Sequence, residues 1–171
     1  MDKYRTGFIV AAIVFALDQL AKWIMLGPLQ LRAVGEVYLL PIFQFTYTEN
    51  NGISLGLLNA TNPVGRWMLV ALTSAIAVAV AVWIGREKNR IDQVALGMVL
   101  GGALGNILDR TRHGFVVDFA DLHFGEWRPF LIFNVGDAAI SIAVVILLLR
   151  AFLTPKERTK GDAPKETVEH A

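Results

Sequence analysis

The chain has no cysteine and little charge for its length. Only 18% of its 171 residues are charged, and 54% are hydrophobic. Without cysteine there can be no disulfide, thiol nucleophile or thiolate metal site. A water-soluble domain usually carries about 25% charged residues. The low charge and the mean hydropathy of +0.49 therefore indicate a chain that folds in a membrane.

Metal ligands are also scarce. The three histidines, His113, His123 and His170, show no metal-binding spacing such as H-x-x-x-H. We therefore expect no metal and no other cofactor. The net charge of +1 gives no indication of a nucleic acid partner.

Four apolar stretches approach the length of about 20 residues that a helix needs to cross a bilayer. They run from about Gly7 to Leu26, Trp67 to Ile84, Ile91 to Leu108 and Leu131 to Leu153. The first is too long for a signal peptide, contains charged residues and is not followed by a small-x-small cleavage site. We therefore expect it to be retained as a helix.

Basic residues near the ends of these stretches predict the orientation, because Lys and Arg are enriched on the cytoplasmic side. They precede the first stretch, fill the link between the second and third, and follow the fourth: Lys3, Arg5, Arg86, Lys88, Arg90, Lys156, Arg158 and Lys160. We expect a multi-pass membrane protein with both termini in the cytoplasm. Residues 27–66 and 109–130 then face the periplasm.

The two outer segments carry signals of structure. Residues alternate between apolar and polar from Ile42 to Thr48, and Phe115–Phe119 is also strand-like. The short apolar piece 53–58 fits a helix lying on the membrane surface. The predicted fold is a membrane all-α protein of four transmembrane helices, with a small β platform and a short surface helix on the periplasmic side. Residues 1–153 form one domain, and 154–171 are a disordered cytoplasmic tail.

The third helix carries glycines four residues apart, at Gly97, Gly101 and Gly105, with Gly102 beside them. Glycines at this spacing form a smooth stripe that another helix can approach closely. We expect tight helix packing along it.

Several polar residues fall at the predicted outer boundary. Asn106 near the end of helix three, and Asn134 and Asp137 at the start of helix four, lie at similar depth. Asp118 lies in an apolar run, which is not the pattern of a solvated charge. Two carboxylates close together share a proton, so one can act as a base on water and the other as an acid on a carbonyl. Spacing alone leaves open whether Asp118 and Asp137 meet.

Two further polar features have a structural and a functional interpretation. Asp18 and Lys22 are four apart on one helical face and can form a buried ion pair, brace the polar layer or touch substrate. The segment Thr48–Gly52 fits a turn, since Asn-Gly favours positive φ.

Other functions fit parts of this pattern. An intramembrane aspartyl protease of the presenilin type has a Gly-Asp pair like Gly136-Asp137, but its acids lie deeper in two spanning helices. A small proton-coupled transporter would also use buried acids, although four spans without a repeat are few. A Ser-Lys peptidase would need Ser54 and Lys22 to meet, and no spacing supports that.

The chain resembles the lipoprotein signal peptidases, the type II signal peptidases of bacteria. The resemblance extends from the first helix to the fourth and rests on five blocks that occur in the family's order. They are Asp18-Gln19-Leu20-Ala21-Lys22 (D-Q-x-x-K), Asn50-Asn51-Gly52 (N-x-G), Gly101 to Arg110 (G-G-x-x-G-N-x-x-D-R), Val116-Val117-Asp118-Phe119 (V-V-D-F) and Phe133 to Asp137 (F-N-x-A-D).

The resemblance implies an aspartic endopeptidase that removes the signal peptide of prolipoproteins by cleaving before the diacylglyceryl-cysteine. It implies that Asp118 and Asp137 are the catalytic dyad. The residues that it implies as lining the site are Asn50, Gly52, Asn106, Arg110 and Asn134. It implies a supporting role for Asp18 and Lys22. Globomycin-type inhibitors and a monomeric enzyme are further expectations from the family.

Two departures from the family pattern concern the surroundings of the site. Ile53-Ser54-Leu55 stands where Ala-Ala-Phe is common, and Gly136 stands where Ala is usual. Neither replaces a carboxylate, so we expect them to affect substrate preference and inhibitor affinity rather than chemistry.

Overall fold

A computed structural model describes residues 5–52 and 63–153 and contains four long helices and a small sheet. In chain order the elements are α1 (Arg5–Leu26), α2 (Leu31–Val34), β1 (Glu36–Leu40), β2 (Phe43–Asn50), α3 (Pro63–Ile84), α4 (Arg90–Arg112), β3 (Val116–Leu122) and α5 (Val135–Leu153). The helices α1, α3, α4 and α5 are long and apolar enough to cross a membrane. The predicted fold class, four spanning helices with a small sheet, is confirmed.

Two of the helix boundaries differ from prediction because apolar runs do not mark where backbone hydrogen bonds end. Helix α3 begins at Pro63, four residues before Trp67; proline suits the first turn, where its missing N–H costs nothing. Helix α4 ends at Arg112, one turn beyond Leu108. That extra turn carries charged residues, which a search for apolar residues leaves out.

The fourth helix begins at Val135, so the prediction of about Leu131 was wrong. The residue Phe133 is extended and exchanges backbone hydrogen bonds with Ala120 of β3, at 2.8 and 3.1 Å. Asn134 then starts the helix, because its side-chain oxygen accepts the Asp137 N–H at 2.9 Å. The apolar run before Asn134 therefore pairs with the sheet instead of continuing the helix.

Helix α4 lies at the centre of the bundle and packs against α1, α3 and α5. Its glycines allow the close approach: a Cβ on Gly101 would lie 2.5 Å from the Ala11 carbonyl oxygen of α1. A Cβ on Gly102 would collide with the Gly136 carbonyl oxygen of α5. The predicted tight packing along the glycine stripe is thus confirmed on two sides of α4.

The strands form an antiparallel sheet in the order β1-β2-β3, at the end of the bundle where α1 and α4 end. Both predicted strands are present, as β2 and β3, whereas β1 was not predicted. The Phe45 ring contacts those of Phe43 and Phe119 edge to face, and the three rings pack with Met25 of α1 and Leu31 of α2. This apolar cluster fixes the sheet to the bundle.

Two predicted features lie outside the described residues. They are the surface helix over 53–58 and the tail over 154–171. The short helix α2, Leu31–Val34, was not predicted.

We predict that Gly101→Ala destabilises the protein, because the added methyl meets backbone that cannot swing aside. The expected loss is about 1–3 kcal/mol, typical of an overpacked interface. It should appear as a lower midpoint of thermal unfolding in detergent. Gly85→Ala is the matched control, since its Cβ would meet only ordinary contacts at 3.5 and 3.8 Å. Equal midpoints for the two variants would contradict the packing argument.

Candidate active site

Four polar residues from three elements meet where the sheet joins the bundle. The Asn134 side-chain amide donates to Asp118 Oδ1 at 2.6 Å and to Asn106 Oδ1 at 3.2 Å. The Asn106 amide in turn donates to Asp137 Oδ1 at 2.8 Å. Asp118 and Asp137 are therefore linked through two asparagines, although their spacing in the sequence left open whether they meet.

Asp137 is held by the start of its own helix. Asn134 and Asp137 form a reciprocal capping box: the Asp137 N–H donates to the Asn134 side chain, and the Asn134 N–H donates to Asp137 Oδ2 at 3.3 Å. The same Asn134 amide also reaches Asp118. A local helix-start motif thus sets the position of one carboxylate relative to the other.

Asp118 is buried in the middle of β3, with 1% of its surface exposed. Its Oδ2 accepts a hydrogen bond from the Asn50 amide at 2.9 Å. Burial raises the pKa of Asp118 to about 7, and the Asp137 carboxylate adds to the rise, while the amides of Asn50 and Asn134 oppose it. Asp118 therefore keeps its proton up to about neutral pH.

The Asn-x-Gly segment places the Asn50 amide at this carboxylate. Asn50 ends β2 and pairs with Val116 of β3, two residues before Asp118. Its side-chain oxygen accepts the Gly52 N–H at 2.9 Å, and Gly52 has a φ of 97°, which favours glycine. The predicted turn is present, and it orients the Asn50 side chain.

Beneath the two acids lies a buried ammonium with two carboxylates. Lys22 Nζ lies 2.7 Å from Asp18 and 2.8 Å from Asp109, and all three side chains are at most 4% exposed. The predicted Asp18–Lys22 ion pair is present. Asp109 was not singled out from the sequence, although it stands in the block that ends helix α4.

This ion triad supports the site from below. Lys22 Nζ donates to Asn106 Oδ1 at 3.2 Å. Asp18 accepts the Gly136 N–H at 2.9 Å, and Asp109 accepts the Val117 N–H at 3.1 Å. The triad therefore binds the backbone next to Asp137 and next to Asp118.

Arg110 lies on the last turn of α4, close to both acids. Its guanidinium is attracted by the carboxylates of Asp137 and Asp118. Its Nε is buried and, within the described part of the chain, has no hydrogen-bond partner. A donor held unpaired beside two acids is available to a ligand.

Two cavities open onto the acids. One of about 740 Å³ reaches Asp118 and lies between the end of β2 and the segment before α5, lined by Thr48 to Gly52 and Arg128 to Ile132. Another of about 330 Å³ reaches Asp137 along α5 and is mainly apolar, lined by Phe130, Leu131, Phe133, Ala138, Ser141 and Ile142. The site is accessible from the sheet side and from the helix side.

The serine alternative finds no support in the environment of Lys22. Its ammonium already has three partners, Asp18, Asp109 and Asn106, so it is not a free base. Ser54 lies outside the described residues. The presenilin-type arrangement is also absent from the described chain, since Asp118 lies on a strand and not on a spanning helix.

Two carboxylates that are bridged by two asparagines, at the end of a bundle of four helices apolar enough to span a membrane, are typical of a membrane-bound aspartic peptidase. The family model described as "Signal peptidase (SPase) II" matches residues 10–153. The chain therefore belongs to the signal peptidase II family.

Relatives and solved structures agree with this assignment. A lipoprotein signal peptidase of Rhizorhabdus wittichii is 52% identical over 91% of each chain. One of Sphingopyxis alaskensis is 50% identical over 93% of this chain and 92% of the relative. A bacterial membrane enzyme solved at 1.9 Å has a TM-score of 0.74 and 28% identity, and the match covers 88% of this chain and 94% of that one.

We predict that Lys22→Met destabilises the protein by about 3–5 kcal/mol, because two carboxylates would remain buried without their cation. Unfolding of the purified protein in detergent measures the loss. Arg32→Met is the control: it breaks an exposed ion pair with Glu49, worth about 1 kcal/mol or less. If the two variants unfolded alike, Lys22 would not be stabilising the triad.

Proposed function

We propose that the protein is an endopeptidase that removes the signal peptide from lipid-modified prolipoproteins. It cleaves the peptide bond before the diacylglyceryl-cysteine, with Asp118 and Asp137 as the catalytic pair. The observation that carries this proposal is the bridge between the two carboxylates through Asn134 and Asn106. Membership of the signal peptidase II family supplies the substrate class.

The geometry supports a division of labour between the acids. Asp118, protonated because it is buried, donates its proton to the carbonyl oxygen of the scissile bond. Asp137 accepts a proton from water, and the resulting hydroxide attacks the carbonyl carbon. The same proton then passes from Asp137 to the leaving amine, and Asp118 regains its proton from the collapsing intermediate. No covalent intermediate forms with the protein.

The remaining site residues position the substrate and the acids. Asn106 and Asn134 hold the dyad, and Asn50 and Gly52 form the wall of the larger cavity next to Asp118. The buried Nε–H of Arg110, which has no partner among the described residues, binds a carbonyl oxygen of the substrate near the scissile bond.

The proposed placement is in the bacterial inner membrane with both termini in the cytoplasm. The basic residues at the ends of the apolar stretches support this orientation. The sheet and the dyad then lie at the periplasmic face, where water reaches the scissile bond while the signal helix and lipid stay in the bilayer. The enzyme acts as a monomer and binds globomycin-type inhibitors.

We predict that Asp118→Asn and Asp137→Asn each lower the rate of prolipoprotein cleavage by about 10²- to 10⁴-fold, because each removes a proton donor or acceptor. The assay follows release of the signal peptide from a lipidated prolipoprotein by purified protein in detergent. Circular dichroism establishes that the variants are folded.

Two control variants accompany these. Asp92→Asn changes a carboxylate at the opposite end of α4 and should leave cleavage unchanged. Ser54→Ala should also remain active. Full activity in either dyad variant would refute the aspartic mechanism, and an active Ser54→Ala variant would dismiss the serine alternative.

We predict that kcat/KM falls as the pH rises above about 7, because Asp118 then loses the proton that it donates. Asn50→Ala removes a hydrogen bond that stabilises ionised Asp118, so the pKa rises further and the alkaline limb moves to higher pH. Asn51→Ala is the matched control, since this neighbouring amide donates to the Glu49 carbonyl and, among the described residues, makes no hydrogen bond to Asp118. A limb that stays in place or moves to lower pH in Asn50→Ala contradicts the assignment of the proton to Asp118.

A further inference from the structure

A second buried carboxylate lies on β3, three residues after Asp118. Asp121 is 1% exposed and accepts hydrogen bonds from Gln44 at 3.0 Å and Thr46 at 3.3 Å. Arg128 Nε donates to both of its oxygens, at 3.1 and 3.2 Å. Peptide hydrolysis by the dyad makes no use of this cluster.

The cluster fixes one edge of the Arg128 guanidinium and leaves another free. A guanidinium can bind one carboxylate along its Nε edge and a second end-on through its terminal nitrogens. Here Asp121 takes the Nε, and the side chain remains 49% exposed. Within residues 5–52 and 63–153 the two terminal nitrogens of Arg128 make no hydrogen bond. Asp121 therefore holds Arg128 in place, and the terminal N–H groups of the guanidinium remain available to a ligand.

Arg128 lies in the wall of the larger cavity, which also reaches Asp118. Among the described residues that line this cavity, Arg128 is the only cation. The lining also holds two acids, Asp118 of the proposed catalytic pair and Glu49, whose carboxylate is already engaged by Arg32 at 3.1 Å and by the Tyr47 hydroxyl at 2.9 Å. A ligand carboxylate entering this cavity would thus find its partner in Arg128.

The two cavities differ in what they can accept. The smaller one follows α5 away from Asp137 and is lined mainly by apolar side chains, so it suits the part of a substrate that stays in lipid. The larger one lies on the sheet side and carries charged and amide groups. A substrate chain crossing the dyad from helix to sheet passes from apolar to polar surroundings. The sheet side therefore suits the water-soluble residues that follow the cleaved bond.

We propose that Arg128 is a specificity-determining residue that binds an acidic side chain among the first residues of the mature lipoprotein, just after the lipid-modified cysteine. Asp121 is the positioning residue that holds the guanidinium for this contact. The proposal rests on the proposed function, because it assigns a part of that substrate to the larger cavity.

The test uses synthetic diacylglyceryl peptides that differ in one residue after the cysteine, Asp in one and Asn in the other. The purified full-length enzyme in detergent should cleave the Asp peptide with a kcat/KM about fivefold higher, the size expected for a partly exposed ion pair. The difference should lie in KM and should shrink in high salt, because exposed charges are screened. Arg128→Gln should abolish the preference by raising KM for the Asp peptide to that for the Asn peptide.

Arg112→Gln is the matched control, because Arg112 is exposed on the same side of the bundle and does not line the cavity; it should keep the preference. An equal loss for both peptides in Arg128→Gln would show a structural role and overturn the proposal. If that variant fails to fold, the test is the comparison of the two peptides with the wild-type enzyme. Equal KM values for the Asp and Asn peptides would then refute the role of Arg128. Cleavage of neither peptide would instead refute the proposed function.

Discussion

The ammonium of Lys22 is the contact on which the rest of the site depends. It lies between Asp18 of α1 and Asp109 of α4, and all three side chains are almost fully buried, so each carboxylate depends on the ammonium as its partner. Asp18 also accepts the backbone N–H of Gly136 at the start of α5, and Asp109 accepts that of Val117 in β3. The helix that carries one acid and the strand that carries the other are thereby fixed to the same buried charge.

The two acids of the dyad differ because their backbones differ. Asp118 is buried inside a strand and accepts hydrogen bonds from the neutral amides of Asn50 and Asn134, and burial raises its pKa to about 7. Asp137 lies in the first turn of α5, where it accepts the Asn134 backbone N–H and the Asn106 side-chain amide. The two acids therefore have different surroundings, which supports the different roles proposed for them above.

The sequence predicted what depends on local pattern. The lengths of the apolar stretches predicted the four long helices, and the alternation of apolar and polar residues predicted β2 and β3. The spacing of the glycines predicted the contact faces of α4. Strand β1, Glu36–Leu40, has a weak signal because most of its side chains are exposed. The meeting of Asp118 with Asp137, and the place of Asp109 in the triad, arise from contacts between distant segments. Only the family resemblance indicated the dyad, because no local rule links residues of different elements.

Helix α5 begins four residues later than predicted, and this late start explains why the site lies at the end of the bundle. Had α5 begun at Leu131, Phe133 could not have paired with Ala120, and Asn134 would have been an ordinary helical residue. Its side chain would then compete with the helix instead of capping it. The late start places Asn134 at the cap, where it holds Asp137 and reaches Asp118. It also leaves an extended segment between the two cavities, so the dyad stays open to water on one side and to the helices on the other.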